Sequence, residues 1–142
     1  MVKNIVFHLG GPKTGSTSIQ ETLASGNWAC KDVSLLYPTN LNHIPLAKSL
    51  SPNVPNDVRD RQFKKIAARI KISNKDIAVI SAEYFERADP VALKAAVEKY
   101  MPQYAKTARY ISYVRPHADR LVSAFAERVK QGAHHGTLEE LH

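Results

Sequence analysis

Three groups of residues in this 142-residue chain have types and spacings suited to chemistry on an anion. The first is Gly10-Gly11-Pro12-Lys13-Thr14-Gly15-Ser16-Thr17-Ser18. A glycine-containing turn that runs into a helix aims several backbone N–H groups at one point. Those donors, with the positive end of the helix dipole, bind phosphate-like groups. The second is Arg115 followed by Ser123, with Arg120 between them. A guanidinium offers a planar fork to phosphate oxygens, and a helix-borne hydroxyl adds another donor. Arg120 fits equally well as an ion-pair partner of Asp119 or Glu127. The third is Glu83 in Ser81-Ala82-Glu83-Tyr84-Phe85. Its carboxylate suits a general base for a hydroxyl or amine nucleophile. It also suits an ion pair with Lys13 or Arg115, or a solvated loop position.

Other chemistries fit less well. A nucleoside-triphosphatase loop ends in Gly-Lys-Ser/Thr. Here Ser16 follows Gly15, and Lys13 stands two residues before that glycine. No strand aspartate is clearly placed for magnesium, which also counts against a P-loop nucleotide kinase. Cys30 has no activating motif around it and reads as a buried or bystander thiol. His134 and His135 are adjacent and point apart on a helix, so no metal site is expected. His8 reads as a core or supporting histidine at the end of a strand, while His43 and His117 carry no motif.

The glycine segment resembles the 5′-phosphosulfate loop of sulfotransferases, Pro-Lys-Thr-Gly-Thr/Ser-Thr-Ser, which Pro12 to Ser18 matches without a gap. Arg115, Arg120, Ser123 and Phe125 resemble the same family's 3′-phosphate motif, although Pro116 follows Arg115 with no residue between. The resemblance implies that the co-substrate is 3′-phosphoadenosine 5′-phosphosulfate (PAPS), used without a metal and released as 3′-phosphoadenosine 5′-phosphate (PAP). It implies that Lys13 contacts the sulfuryl group and the bridging oxygen. The amides of Thr14, Gly15, Ser16, Thr17 and Ser18, with the three serine and threonine hydroxyls of positions 16–18, then hold the 5′-phosphate. Arg115 and Ser123 hold the 3′-phosphate. Glu83 occupies a strand end where many family members place a catalytic base. The glycine loop is similar to that of bacterial carbohydrate sulfotransferases, which makes a carbohydrate hydroxyl the first expectation for the acceptor. A small phenol or a lipid stays open.

The elements that must position these residues alternate between two periodicities. Compact apolar runs at Ile5–Leu9, Asp76–Ser81 and Arg109–Val114 suit buried parallel strands. Val33–Tyr37 is a further strand candidate, stopped by Pro38. Helices are expected from Ser16 or Thr17 with Ile19 and Leu23 inward, and over Ile44–Leu50. Another follows Asn56, with Phe63, Ile66, Ala67 and Ile70 on one face. Asp89-Pro90 reads as a cap and first turn, followed by the stripe Leu93, Ala96, Val97 and Tyr100. A last helix is expected to carry Leu121, Val122, Phe125 and Val129 inward. Strands alternating with helices give an α/β class, a three-layer α/β/α arrangement on a central parallel sheet. The resemblance makes it P-loop NTPase-like. Such sheets bind ligands at the carboxyl ends of their strands.

Length and composition bound the rest. The chain has room for one ordinary domain, so residues 1–142 read as a single nucleotide-binding domain. Family members add a C-terminal segment over the adenine, which this chain is expected to lack. Twenty Lys and Arg against thirteen Asp and Glu give a net charge of +7, which favours anionic partners: nucleic acid, a phosphorylated cofactor or an acidic glycan. The basic residues are scattered, which speaks against nucleic acid. No apolar run approaches a membrane span, the N-terminus lacks a signal-peptide pattern, and a single cysteine suits a reducing compartment. A cytoplasmic enzyme is the expectation; a homologue that binds PAPS or PAP without turnover is the alternative. Oligomeric state is not legible.

Overall fold

The two runs rich in Ile and Val become the central strands of the sheet, each with one face fully buried. β1 is Asn4–Leu9, β2 is Leu35–Leu36, β3 is Ile77–Ala82 and β4 is Arg109–Ile111. The computed structural model describes residues 1–11 and 13–141. Pro12, the first residue of the loop match, lies outside the described residues. The strands form one sheet in the order β2-β3-β1-β4, and every pairing in it is parallel. The helices are α1 (Ser16–Ser25), α2 (Ile44–Lys48), α3 (Asn56–Ile72), α4 (Pro90–Tyr100) and α5 (His117–Lys130). The chain is therefore an α/β protein built on a four-stranded parallel sheet. Among the described residues no helix is long and apolar enough to cross a membrane.

Alternation along the strands separates two faces. Ile5 and Phe7 of β1 and Ala78 and Ile80 of β3 are fully buried, in one cluster with Phe63, Ile66 and Ile70 of α3 and Leu93, Ala96 and Val97 of α4. Removing each large side chain of this cluster from water contributes roughly 1.5–3 kcal/mol. Val6 and Val79, on the other face, are only half-buried, whereas His8 and Ser81 beside them are sealed. α1 covers that carboxyl end of the sheet, and the cover is polar.

This placement corrects the expected inner face of α1. Its buried residues are Ser16 and Gln20, and Ile19 and Leu23 are half-exposed. The last helix also departs from expectation. α5 has no buried residue, and Val122 and Val129 are exposed. The expected strand Arg109–Val114 stops at Ile111 because β4 is the sheet edge and every residue of it is exposed. Cys30 is exposed rather than buried.

At the opposite end of the sheet, Asp76 ties three segments together. It accepts from Lys3 Nζ at 2.8 Å, from Ser34 N at 3.0 Å and from Ser34 Oγ at 2.7 Å. These donors, the Lys3 hydrogen bond first, hold its carboxyl well below the usual carboxylate range.

Candidate functional site

Between β1 and α1 the chain must reverse quickly and bring the first turn of α1 close to the strand end. Gly10 permits that approach, since a β-carbon there would stand 2.8 Å from the Ser16 Cβ. Gly15 lies at φ 84° immediately before α1, in the left-handed region that favours glycine. Lys13 is also left-handed, at φ 63°, which costs a non-glycine residue about 1 kcal/mol or more. Thr14 Oγ1 donates to the Gly11 carbonyl at 2.7 Å and so stiffens the loop from inside. Among the described residues no side chain caps α1, and no acidic residue occupies its first turn. The N–H groups there have the chemistry to bind an anion.

The second motif returns to this loop from 102 positions away. The Arg115 Nη1 donates to the Lys13 carbonyl at 3.3 Å. Ser112 Oγ donates to the Leu9 carbonyl at 2.8 Å and continues the β1–β4 seam past the last strand pair. Together these contacts bring Lys13, Gly15, Ser16, Thr17, Glu83, Arg115 and Ser123 around one cavity of about 280 Å³. Thr14 and Ser18 do not line it: the Thr14 hydroxyl is spent within the loop, and Ser18 is exposed on α1. The cavity lies just under the roughly 300–1,000 Å³ of whole small-molecule sites, a size suited to the charged end of a larger ligand.

Of the two cations that line this cavity, Lys13 is paired with an acid and Arg115, among the described residues, contacts only the Lys13 carbonyl. Lys13 Nζ stands 3.0 Å from Glu127 Oε2 on α5. The hydrogen bond from Lys13 is the main reason that the Glu127 carboxyl titrates below its ordinary value. Arg120 pairs with Glu86 at 3.6 Å, not with Asp119 or Glu127. Glu83 takes neither Lys13 nor Arg115 as partner; its Oε1 accepts the Ser16 hydroxyl at 2.5 Å.

Beneath the loop lies a buried polar group that supports both β1 and β3. Gln20 Nε2 donates to Ser81 Oγ at 3.0 Å, and His8 Nδ1 lies 2.8 Å from the same oxygen. The Ser81 oxygen therefore accepts from Gln20 and shares one further hydrogen bond with His8 Nδ1, whose direction follows the imidazole tautomer. Burial lowers the His8 pKa. His43, before α2, has its Nδ1 3.1 Å from the Ser81 N–H. Burial moves its pKa down to about 4, against a smaller opposing effect of the Ser81 carbonyl, 3.3 Å from the same nitrogen, which favours the charged form. The Nε2 atoms of His8 and His43 are buried without a protein partner. Among the described residues no group of three or more His, Cys, Asp or Glu is arranged to hold a metal ion.

Sequence reasoning passed over Gln20, set Glu127 against Arg120 rather than Lys13, and found no role for His43. Two of these had a readable signal. Glu127 follows Ser123 by one helical turn, so both share the α5 face that carries Arg120. Gln20 follows Ser16 by the same interval on α1. His43 had none, because its partner Ser81 is distant in sequence and the segment between has no clear period.

A scan against protein-family models finds no match to this chain, and a search among curated proteins finds none.

Proposed function

We propose that this chain is the nucleotide-binding core of a sulfotransferase, a P-loop NTPase-like α/β/α domain that uses PAPS and releases PAP. The reaction moves a sulfuryl group to a hydroxyl or amine of a small-molecule or carbohydrate acceptor. One observation carries the reading: two motifs 102 positions apart, each following a strand, line a single cavity. The uncapped α1 N-terminus supplies amide donors, and Lys13 and Arg115 supply charge, which suits a ligand with several anionic groups.

In this reading the acceptor oxygen bonds to sulfur as the bond from sulfur to the bridging phosphate oxygen breaks. Lys13 neutralises the charge that grows on that bridging oxygen, a contact stronger in the transition state than in the ground state. Glu83 receives the acceptor proton, and the Ser16 hydroxyl fixes the direction of its carboxylate. Arg115 and Ser123 hold the 3′-phosphate and so set the donor's register along the loop. Lys13 must exchange Glu127 for the incoming anion. That same ion pair favours a second reading, a module that binds the nucleotide without turning it over.

The test is a calorimetric titration with PAP in the absence of magnesium. Micromolar binding is expected. A preference for ATP with magnesium overturns the proposal in favour of a nucleotide kinase.

A further inference from the structure

The 3₁₀ turn Glu83–Arg87 follows β3 directly. With three residues per turn, positions three apart share a side. Glu83 lines the anion cavity, and Glu86 pairs with Arg120 and approaches Gly11. Phe85 is buried edge-on against Phe7, ring centroids 5.7 Å apart. The third side, Tyr84 and Arg87, lines a different cavity of about 500 Å³. This turn is therefore a partition with the proposed base on one side and an aromatic ring on the other. Glu83 and Tyr84 are consecutive, so this one turn of backbone contributes to both cavities.

The far wall of the second cavity is Lys48 at the end of α2 with Leu50 and Val54 beyond it. Lys48 Nζ lies 4.5 Å from the Tyr84 ring centroid, and Arg87 Cζ lies 5.9 Å from it. Among the described residues neither cation has a carboxylate within ion-pair distance. Asp89 also lines the cavity, and its Oδ1 accepts from Val91 N while the carboxylate adds acceptor capacity at the rim. A tyrosine ring now faced by Lys48 Nζ, two cations without ion-pair partners and a carboxylate acceptor match one ligand class, whose acidic substituent draws Lys48 off the ring. A sugar ring stacks its C–H face on tyrosine, its acidic substituent meets the cations, and its hydroxyls need acceptors as well as donors. A simple aryl acid makes no use of the carboxylate.

We propose that this cavity is the acceptor subsite and that it takes an acidic sugar, ring on Tyr84 and carboxylate or sulfate between Lys48 and Arg87. The role as acceptor subsite rests on the sulfotransferase reading; the sugar site itself does not. A sugar seated there presents a hydroxyl over the partition to Glu83. Its oxygen bonds to sulfur, the sulfur–bridging-oxygen bond of PAPS breaks, PAP leaves, and the hydroxyl proton passes to Glu83.

The experiment titrates the full chain, with and without saturating PAP, using a hyaluronan hexasaccharide, a neutral chitin hexasaccharide and phenylacetate. The expected result is that the acidic hexasaccharide binds most tightly and does not compete with PAP. The Lys48→Gln/Arg87→Gln double variant should then lose about ten-fold of that affinity, the reach of charge-assisted contacts at an open site, with PAP binding unchanged. Tyr84→Ala should weaken binding of the acidic and neutral sugars alike. Lys48, Tyr84 and Arg87 are exposed, so the variants keep the core intact. Equal binding of the neutral sugar, tighter binding of phenylacetate, or displacement by PAP overturns the inference. If the acidic sugar binds and PAP does not, the sulfotransferase reading falls and the sugar site stands. If PAP binds and the sugar does not, this inference alone falls.

Discussion

The stability of this fold should depend on pH through His43, and the structure sets the sign and scale. His43 is 2% exposed, its ring packs edge-on against Tyr37 at 5.1 Å, and its Nδ1 accepts from Ser81 N–H. Burial disfavours the imidazolium, and the nearby Arg69 charge adds to that, so the pKa falls from 6.5 to about 4. The folded chain therefore keeps His43 neutral while the unfolded chain takes up a proton below 6.5. The contribution is complete above that value and is lost as pH falls through about 4. At 1.36 kcal/mol per pKa unit it amounts to about 3 kcal/mol. His8 is lowered in the same direction by burial and adds to the loss in the wild type. His43→Asn separates the two, because the Asn Oδ1 can accept from Ser81 N–H but does not titrate. Urea unfolding of both proteins between about pH 7 and about pH 4 is the assay. The variant should be less stable at neutral pH by about 1 kcal/mol and should lose less on acidification. Parallel stability–pH profiles would refute the reasoning.

The chemical predictions divide by side chain. Lys13→Ala should lower turnover by roughly 10²-fold or more with a smaller loss of donor affinity. Equal losses in calorimetry and sulfuryl transfer would make Lys13 only a binding residue. Lys13→Arg should restore activity only in part, since a planar fork replaces a compact charge. Glu83→Gln should leave PAP affinity nearly unchanged and reduce turnover by about 10²–10⁴-fold; normal turnover on a confirmed acceptor sinks its assignment as base. Glu127→Gln frees Lys13 and should tighten PAP binding by about two- to five-fold, an effect that fades with added salt. Unchanged affinity would mean that Glu127 does not compete for the lysine.

What could be read in the sequence was whatever depends on local pattern. Ile5–Leu9 and the run ending at Ser81 gave away β1 and β3 because each is short, apolar and followed by a change of period. Asp89-Pro90 gave away the start of α4, where Asp89 Oδ1 does accept from Val91 N. What could not be read was which faces find a partner. Ile19 and Leu23 looked inward on α1, yet Gln20 is sealed instead because the sheet end below presents His8 and Ser81. The α5 stripe is apolar, but periodicity reports that a helix has an apolar face, not that something covers it. β4 at the edge supplies no such cover. The candidate site followed the same division. The sequence brought out residues that line one cavity, but not which acid pairs with which cation, since Glu127 was expected beside Arg120 and stands beside Lys13.

Those acids bear on how a polyanion enters. Lys13 is held by Glu127, Arg120 by Glu86, and the Ser16 hydroxyl by Glu83. Each of these contacts must be exchanged or must tolerate a like charge nearby. The three carboxylates are not equally free to yield. Glu83 stands at the end of β3, whose strand is buried to Ala82, and Glu86 shares a turn with the buried Phe85. Glu127 belongs to α5, which buries no residue and is joined to the loop by Lys13 and by the Arg115 contact that precedes it. Repulsion by an incoming phosphate therefore acts on the least anchored element first. On that basis α5 is the element expected to yield, with the partition between the two cavities keeping its place. The proposed base would then keep its position as the proposed donor site opens, which preserves the alignment that in-line transfer depends on.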